Sequence, residues 1–365
     1  MNFIIFCSLI SFLGTLIVMP TVIKLAIKKR LLTEGGGRNS HNGFTPNIGG
    51  IAITFGLLLS NLFVLAYYLE QNRTIIVDVD SVYLLRSYLI ITGSCILLFI
   101  VGLADDLTSL SSRFRFLVQL IISFVLCYYG DVRVESLNGL FGIYELPYFV
   151  SLVFSMIVTI FIINSFNLTD GLDSLATTLG IYILSSFAVL FIMNNNMYHA
   201  SFALAGVCSL LAFWFYNRPP AKIFMGDSGS LIIGFIIAYC AIKLCNKPID
   251  FSGTINPVFI LCILAYPSVD TLRVFIVRIL SGKSPFSADR NHIHHLLVDK
   301  DFSHGWAAFF AVCYPIILSA ICFLIRDHVT LSFIVMVPLA ILFILLPMAT
   351  WSRNIMRFLL SRFRN

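Results

Sequence analysis

The chain has 365 residues, of which 59% are hydrophobic and only 12% are charged. Soluble domains carry about 25% charged residues. A soluble chain of this composition would expose large apolar patches, so the composition excludes a soluble protein. The formal net charge of +6 comes from cations at loop ends, where anionic lipid headgroups lie, without basic tracts interleaved with base-stacking aromatic residues. Nucleic acid is therefore not an expected partner.

The apolar residues fall into runs long enough to cross a bilayer, which takes roughly 20 helical residues. Eleven such runs are centred near Gly14, Leu58, Thr92, Ser123, Thr159, Ile183, Val207, Ile237, Cys262, Leu318 and Met336. We therefore expect an all-α integral membrane protein with about eleven transmembrane helices.

The first of these runs is predicted to be a transmembrane helix rather than a cleavable signal peptide. Its cations follow the apolar run instead of preceding it, and no small-x-small cleavage site is present. The nine cysteines lie in or beside apolar runs and form no Cys-x-x-Cys pair. Neither a disulfide framework nor a zinc ribbon is therefore expected.

The lysines and arginines predict the orientation of the helices. If the loop from Lys24 to Arg38 is cytoplasmic, eleven spans place 18 of the 24 lysines and arginines on that side, including the C-terminal tail. The six on the opposite side are Arg73, Arg86, Arg133, Lys243, Lys247 and Arg326. Because cations are enriched in cytoplasmic loops, we expect the N-terminus outside and the C-terminus in the cytoplasm.

Polar residues gather at the ends of spans on this same predicted cytoplasmic face. They end the third span and follow the fifth, seventh and ninth. The residues are Asp105 and Asp106; Asn167, Asp170 and Asp173; Asp227; and Asp289, Arg290, His292, His294 and His295. We expect one membrane domain over residues 1–365, with cytoplasmic active-site loops near residues 24–47, 104–114, 164–175, 217–230 and 280–305.

Each acidic cluster also has a purely structural interpretation. A single aspartate at a helix end is commonly a solvated cap. The segment from Asn167 to Asp173 could be a capped helix start, and the segment from Phe224 to Ser230 could be a tight turn that opens the eighth helix. The adjacent pair Asp105-Asp106 is harder to explain in this way, because two like charges at a membrane boundary repel each other and favour a bound cation.

The histidines divide into two groups. The run from His292 to His295 has no nearby cysteines, so its set of zinc ligands is incomplete. Its position beside Arg290 and Lys283 favours an anion-binding loop instead. His304 is expected to be a solvated loop residue.

Together these clusters predict phosphoryl chemistry at one membrane face. Carboxylate and amide oxygens suit Mg²⁺, with Mn²⁺ as an alternative, better than Zn²⁺. Such a metal and the cationic side chains would neutralise pyrophosphate charge, while carboxylates hold the metal and activate the attacking group.

Four motifs occur in a fixed order along the chain. They are Ala104-Asp105-Asp106, Asn-x-x-Asn-x-x-Asp-Gly-x-Asp from Asn164 to Asp173, Phe-Met-Gly-Asp-x-Gly-Ser from Phe224 to Ser230, and His-x-His-His from His292 to His295. Each motif alone is weak, but the joint match resembles the polyprenyl-phosphate N-acetylhexosamine-1-phosphate transferase family. The resemblance runs from about Arg38 to His295. The loop from Ser284 to His292 resembles the WecA and TagO branch of this family rather than the peptidoglycan branch of MraY.

The resemblance implies catalytic and metal-binding roles for the motif residues. Asn167 and Asp227 match the family's magnesium ligands at the donor pyrophosphate, and Asp227 is thereby also catalytic. Asp105 matches the acid that deprotonates or positions the lipid phosphate, with Asp106 beside it. His292 begins the histidine motif that contacts the donor phosphate or sugar.

The resemblance also implies a substrate-binding set. Asp173 matches the acid that hydrogen-bonds the uracil ring, Phe224 matches the aromatic residue that packs on it, and Asp170 lines the same pocket. The remaining members, expected to face the donor phosphate or sugar, are Arg115, Arg290, His294 and His295.

The implied reaction joins a UDP-N-acetylhexosamine to undecaprenyl phosphate and releases UMP. Direct attack by the lipid phosphate is favoured over an aspartyl-phosphate intermediate. UDP-N-acetylglucosamine is the expected donor, with its 4-epimer or a deoxy amino sugar as alternatives. The product would start a cell-envelope polysaccharide, such as a lipopolysaccharide O-antigen, at the bacterial inner membrane. The expected partners are the UDP-sugar, undecaprenyl phosphate and the bilayer, and a homodimer is left open.

Two alternative functions fit the sequence less well, and the sequence departs from the family pattern in two places. A transporter or flippase would need polar residues near the bilayer midplane, and a CDP-lipid phosphotransferase would need a closely spaced aspartate series that is absent here. The segment from Glu34 to His41 replaces the usual Asp-Lys-Pro run, and Ser174 stands where a second glycine is usual.

Overall fold

A computed structural model of the chain describes residues 2–34, 44–71, 79–246, 248–249, 253–254, 257–284 and 291–349. The helices are α1 (Asn2–Lys28), α2 (Gly50–Gln71), α3 (Val79–Thr108), α4 (Ser112–Phe124, continued by a π-helical turn Val125–Tyr129), α5 (Tyr148–Asn167), α6 (Leu175–Met193), α7 (Met197–Asn217), α8 (Asp227–Cys245), α9 (Pro257–Ile263), α10 (Ala265–Leu280), α11 (Ile293–Val298), α12 (His304–Leu324) and α13 (Val329–Ala349). The strands are β1 (Leu32–Glu34), β2 (Phe44–Pro46), β3 (Ser136–Leu140), β4 (Ile143–Glu145), β5 (Pro248–Ile249) and β6 (Gly253–Thr254), in three antiparallel pairs.

The helices confirm an all-α integral membrane architecture. Within the described ranges, nine helices are long and apolar enough to cross a membrane, and the bent pair α9–α10 brings the number to ten. Each of the eleven predicted runs coincides with a helix, and α13 corresponds to the last of them. The count of eleven spans and their orientation remain predictions.

Helix α8 lies at the centre of the molecule. In its membrane-spanning window 89% of the residues are buried, against 33% for the α4 span, because α3 and α5 pack along it. Such an enclosed helix is apolar on all sides. The side chain of its first residue, Asp227, is 23% exposed and accepts hydrogen bonds from residues at the neighbouring helix ends.

Small polar side chains join the helices α1, α2 and α7. Ser11 donates to the carbonyl of Ala205 at 2.7 Å, and the hydroxyls of Thr15 and Ser209 are 2.8 Å apart. Such residues let membrane helices approach closely while their hydroxyl groups remain hydrogen-bonded. This group of helices packs against α8 through α2 and α7.

The ninth predicted span is broken. Helices α9 and α10 meet at an angle of 79° near Leu264, which was expected to lie within one continuous helix. Pro267 explains the break, because it has no N–H to donate to the carbonyl four residues earlier and its ring crowds that carbonyl. α10 reaches Asn291 and His292, the two described residues that precede α11.

Candidate active site

A short turn between α3 and α4 brings a cation to an acidic pair. Ser111 caps α4 by accepting a hydrogen bond from the backbone N–H of Phe114 at 3.3 Å. Arg115, in the first turn of α4, then donates from Nη1 to Asp105 at 2.7 Å and to Asp227 at 2.5 Å. Arg115 thus links the end of α3 to the start of α8.

Asp106 binds the start of α8 from the other side. Its carboxylate accepts hydrogen bonds from the backbone N–H groups of Asp227 at 2.8 Å and Ser228 at 3.0 Å. The first N–H groups of a helix have no partner within the helix, and a carboxylate there is also favoured by the helix dipole. The close crossing of α3 over α8 requires Gly102, where a Cβ would lie 2.5 Å from the carbonyl oxygen of Asp227.

Asn167 is held by the same helix start. Its amide nitrogen donates to Asp227 Oδ1 and to the hydroxyl of Ser230, each at 2.7 Å. The amide oxygen has no hydrogen-bond partner among the residues that the structure describes. It is therefore the atom of Asn167 that remains for a metal ion.

Asp170 completes the acidic group. Its Oδ2 accepts a hydrogen bond from the backbone N–H of Gly226 at 3.0 Å. The pKa of Asp170 is raised to about 7, chiefly by burial and also by the charges of Asp227 and Asp106, while the hydrogen bond from the Gly226 N–H opposes the rise. Ionisation of Asp170 is therefore costly at this position, and a bound cation would lower that cost.

The side chains around Asp227 fit a magnesium ion chemically. Four carboxylates (Asp105, Asp106, Asp170 and Asp227) gather at the start of α8, and the guanidinium of Arg115 pairs with two of them, Asp105 and Asp227. In the part of the chain that the structure describes, no three His, Cys, Asp or Glu side chains are grouped so as to hold a metal by themselves. Mg²⁺ usually takes only one or two carboxylates and completes its shell with substrate phosphates and water. The carboxylate of Asp227 and the amide oxygen of Asn167 match that pattern.

Asp173 contacts two segments beyond the metal-binding group. Its Oδ2 accepts from the backbone N–H of Ala221 at 3.2 Å and lies 3.5 Å from Nδ1 of His304. His304, expected to be a solvated loop residue, is instead the first residue of α12, and its side chain is only 23% exposed. This contact makes His304 part of the surroundings of Asp173.

Asn217 fixes the loop that carries Phe224. Its side chain accepts from the N–H of Ser174 at 3.0 Å and the hydroxyl of Thr177 at 2.7 Å, and donates to the carbonyl of Ile223 at 2.9 Å. Ser174 has a φ of 61°, the left-handed conformation that favours glycine. This explains why a glycine is usual at that position in the family.

Backbone hydrogen bonds fasten Phe224 and Met225 to Pro46, the last residue of β2, and to the glycines that follow it. Phe224 N–H donates to Pro46 at 2.8 Å, and the N–H of Gly49 donates back to Phe224 at 3.0 Å. The phenyl ring is half-buried, so a planar ligand could reach one face of it.

The histidine segment, His292 to His295, reaches the loop between α5 and α6 at Gly171. A Cβ at Gly171 would lie 2.8 Å from Nε2 of His294 and 3.2 Å from Nε2 of His295, so only a glycine allows this approach. Burial lowers the pKa of His294 well below its ordinary range, and the neighbouring His295 lowers it further. His294 is therefore neutral at physiological pH.

The structure places most of the predicted site residues together at one end of the helices. One connected group contains Asp105, Asp106, Arg115, Asn167, Asp170, Asp227, His294 and His295. His292 joins it by ring stacking on His294, with ring centres 5.5 Å apart. Asp173 and Phe224 lie on the adjoining loops. Arg290 and the segment with Arg38 and His41 lie outside the described residues.

Four residues of these surroundings were missed or discounted from sequence: Asn217, Asp270, Arg273 and His304. Asp270 is 2% exposed in α10 and accepts hydrogen bonds from Arg273 and His292. For Asp270 and Arg273 the sequence did contain a signal, namely an acid inside an apolar run with an arginine three residues later. Ionisable residues within membrane spans are costly and usually functional. Asn217 and His304 carried no comparable signal.

Comparisons with known proteins agree with the motifs. Residues 88–245 match the sequence model of the family described as "Glycosyl transferase family 4". The chain is 31% identical over 306 residues, covering 82% of this chain and 79% of the relative, to a protein of Bacillus subtilis (strain 168) named "Probable undecaprenyl-phosphate N-acetylglucosaminyl 1-phosphate transferase".

Two further relatives carry the name "Undecaprenyl-phosphate alpha-N-acetylglucosaminyl 1-phosphate transferase". One, from Yersinia pestis, is 30% identical over 77% of this chain and 73% of its own length. The other, from Escherichia coli (strain K12), is 28% identical over 80% of this chain and 76% of its own length. These matches show that the chain belongs to glycosyl transferase family 4, among the polyprenyl-phosphate N-acetylhexosamine-1-phosphate transferases that its motifs resemble.

Proposed function

We propose that this protein transfers a sugar 1-phosphate, preferably N-acetylglucosamine 1-phosphate, from a UDP-sugar to undecaprenyl phosphate. The products are undecaprenyl-diphosphate-linked sugar and UMP. The observation that carries the proposal is the connected group around Asp227, which presents carboxylates, an amide oxygen and a guanidinium at one end of the helices. The names of the relatives support both the acceptor and the sugar.

Asn167 and Asp227 would hold Mg²⁺ at the donor pyrophosphate. When bound there, Mg²⁺ would neutralise charge on the donor as the phosphorus is attacked. Asn167 supplies its amide oxygen because its nitrogen is already hydrogen-bonded to Asp227 and Ser230. The hydrogen bonds of Arg115 and Asp106 fix the position of Asp227 and the start of α8.

The hydrogen bonds of Asp105 and Asp106 indicate different roles for the two residues. Asp106 accepts two backbone N–H groups and the side-chain amide of Asn47, so it supports α8. Asp105 instead pairs with Arg115, whose side chain is 30% exposed. We infer that Asp105 positions the lipid phosphate and takes its proton, while Arg115, which bridges Asp105 and Asp227, faces the donor pyrophosphate.

In the reaction itself, an oxygen of the lipid phosphate attacks the sugar-bearing phosphorus of the donor. One P–O bond forms to the lipid phosphate, the P–O bond to UMP breaks, and UMP leaves with the bonding electrons. No protein nucleophile is required. Because both reactants are anions, electrostatic stabilisation is the largest contribution expected from the site.

The uridine end of the donor would lie between the loops that carry Asp173 and Phe224. The carboxylate of Asp173 can accept the imide N–H of uracil, and the exposed face of Phe224 can pack on the ring. His292, His294 and His295 are then on the side of Asp170 where the diphosphate and sugar would lie.

The proposal also covers the domain organisation, the location in the cell, the metal and the fate of the product. The chain would form a single membrane domain over residues 1–365 in the bacterial inner membrane, with the N-terminus outside and the acidic group cytoplasmic. Magnesium would be the physiological metal, and the product would start a cell-envelope polysaccharide. The carboxylates around Asp227 meet at helix ends rather than in the middle of a span, which argues against a transporter.

The deciding experiment is release of UMP by the purified protein in detergent. The reaction would contain undecaprenyl phosphate, Mg²⁺ and one of several UDP-sugars. We expect release that is highest with UDP-N-acetylglucosamine and is lost when the lipid is omitted or the metal is chelated. Well-folded protein that releases no UMP with any donor would exclude the transferase, and release without lipid would indicate a hydrolase.

The metal assignment has its own test in Asp227→Ala. Loss of a ligand that stabilises the reacting phosphate should lower kcat at least about 100-fold, because metal charge stabilisation is worth several kcal/mol. The control is Asp327→Ala, which removes an aspartate whose side chain is 81% exposed. Near-normal turnover of Asp227→Ala would remove Asp227 from the metal site.

A further inference from the structure

A buried ion pair between Asp270 and Arg273 lies next to the histidine segment, and neither residue belongs to the four motifs. Asp270 of α10 is 2% exposed. Its Oδ1 accepts from Arg273 at 2.7 Å and 3.1 Å and from the backbone N–H of Ile293 at 3.2 Å. Its Oδ2 accepts from Nδ1 of His292 at 2.9 Å.

The arginine fixes the carboxylate as an anion. Arg273 is 9% exposed and donates to Oδ1 of Asp270 through both Nε and Nη2, so two charge-assisted hydrogen bonds of one guanidinium converge on a single carboxylate oxygen. It also donates to the backbone carbonyl of Asn291. Burying such a pair costs free energy that apolar residues would not, so its presence beside His292 calls for a reason beyond helix packing.

The consequence for His292 is a defined proton position. Because the Asp270 carboxylate can only accept, the proton of the imidazole must lie on Nδ1. The other ring nitrogen, Nε2, is buried and has no hydrogen-bond partner among the described residues. Nε2 is therefore the atom through which His292 can bind a ligand.

We propose that Asp270 is a positioning residue that holds His292 in the Nδ1–H form and directs Nε2 towards the phosphate or sugar of the donor. The proposal rests on the proposed function. Arg273 acts through Asp270, and the two residues together join α10 to the start of α11. The 79° bend before α10 is what brings this carboxylate beneath the histidine segment.

The substitution Asp270→Asn separates positioning from simple support. The amide oxygen can still accept from Arg273 and from the Ile293 N–H, so the link between α10 and residue 293 is kept. The amide NH₂ then faces His292 Nδ1 and can only donate, which forces the ring proton to Nε2. The matched control is Asp301→Asn, the same chemical change at an exposed position shortly after α11.

The first readout is the tautomer itself, measured by ¹⁵N NMR of protein labelled at its seven histidines. The His292 signal is assigned by its absence in His292→Gln. We expect the Nδ1–H form in the parent protein and in Asp301→Asn, and the Nε2–H form in Asp270→Asn. A parent His292 that carries its proton on Nε2 overturns the proposal, even if Asp270→Asn does not fold.

The second readout is turnover. We expect kcat/KM for UDP-N-acetylglucosamine to fall on the order of 10- to 100-fold in Asp270→Asn, the size seen when the partner of a functional histidine is removed, with the parent melting temperature retained. Asp301→Asn should match the parent. A parent-like kcat/KM with an inverted tautomer overturns the proposal. If the parent protein releases no UMP with any donor, the proposed function fails instead, and the NMR result still decides whether Asp270 sets the tautomer.

Discussion

Asp105 and Asp106 are neighbours in sequence with different surroundings. Asp106 accepts hydrogen bonds from the first N–H groups of α8 and from the side-chain amide of Asn47. Asp105 accepts hydrogen bonds from the side chain of Arg115 and from the backbone N–H of Leu110. A carboxylate that caps a helix contributes to stability, and one that meets a substrate contributes to rate. Substitution of Asp105 should therefore lower the rate of turnover, and substitution of Asp106 should lower the stability.

We expect Asp105→Asn to retain the parent melting temperature and to lose roughly 100-fold or more in kcat, the usual range for a proton-transfer group. Asp106→Asn should lower the melting temperature, because one of two buried N–H groups loses its acceptor at a cost of about 1–3 kcal/mol. Thermal unfolding in detergent and UMP release would be measured on both, with Asp327→Asn as the control. Equal loss of stability in the two variants would contradict this assignment of different roles to Asp105 and Asp106.

Asp173 should affect the donor and not the acceptor. Asp173→Ala removes a charged hydrogen-bond acceptor, which is worth about 1.5–3 kcal/mol, so the KM for UDP-N-acetylglucosamine should rise about 10-fold or more. The KM for undecaprenyl phosphate should stay unchanged and serves as the internal control. His304→Gln should give a smaller rise in the same donor KM, because His304 contacts Asp173 at 3.5 Å. An unchanged donor KM in Asp173→Ala would place the uracil elsewhere.

The motif residues could be predicted from sequence because their chemistry stands out at the ends of apolar runs. Asp227 and Asp105 are acids at a membrane boundary, and no packing requirement places them there. Asn217 and His304 could not be predicted in the same way. Their importance depends on partners far along the chain, Ser174 and Asp173, and only the folded structure brings those partners together.

At the scale of elements, the contact between the α5–α6 loop and α11 controls where the histidines lie. The side chains of His294 and His295 approach Gly171 so closely that a methyl group would lie 2.8 Å and 3.2 Å from their ring nitrogens. Such spacing is shorter than normal van der Waals contact. The rings, or the whole of α11, must move if a Cβ is added.

We therefore expect Gly171→Ala to lower kcat several-fold or more while the protein still inserts and folds, because the imidazoles are displaced from the donor. The matched control is Gly93→Ala in α3, where a Cβ would meet no atom within 4 Å and alanine is the better helix former. UMP release would be compared at equal amounts of folded protein. Parent-like activity in Gly171→Ala would mean that the histidines do not need this position.

The elements themselves were predictable to different degrees. Long apolar runs predict α5 or α8 well, because the bilayer requires backbone hydrogen bonds to close within each helix. The break between α9 and α10 was not predicted, although Pro267 provides the signal. Pro20 and Pro315 lie within the continuous helices α1 and α12, so a proline alone does not tell a broken span from an intact one.

At the scale of the whole molecule, the active-site group lies where several helices begin or end around the enclosed start of α8. The β3–β4 hairpin precedes α5 at its other end, and Asn246 after α8 donates to the carbonyl of Arg133 there. The two ends of the helices are therefore clearly distinguished. The excess of cations in the loops at the active-site end favours the cytoplasm for that end.

Cysteine labelling in whole cells would test this orientation. Arg113 lies in the first turn of α4, at the active-site end, Glu145 ends the hairpin at the opposite end, and both are exposed. With a membrane-impermeant maleimide, we expect Glu145→Cys to be labelled in intact cells and Arg113→Cys only after the membrane is permeabilised. The unsubstituted protein, whose nine cysteines are buried or only partly exposed, gives the background. Labelling of Arg113→Cys but not Glu145→Cys in intact cells would reverse the orientation and place the acidic group outside, where no UDP-sugar is made.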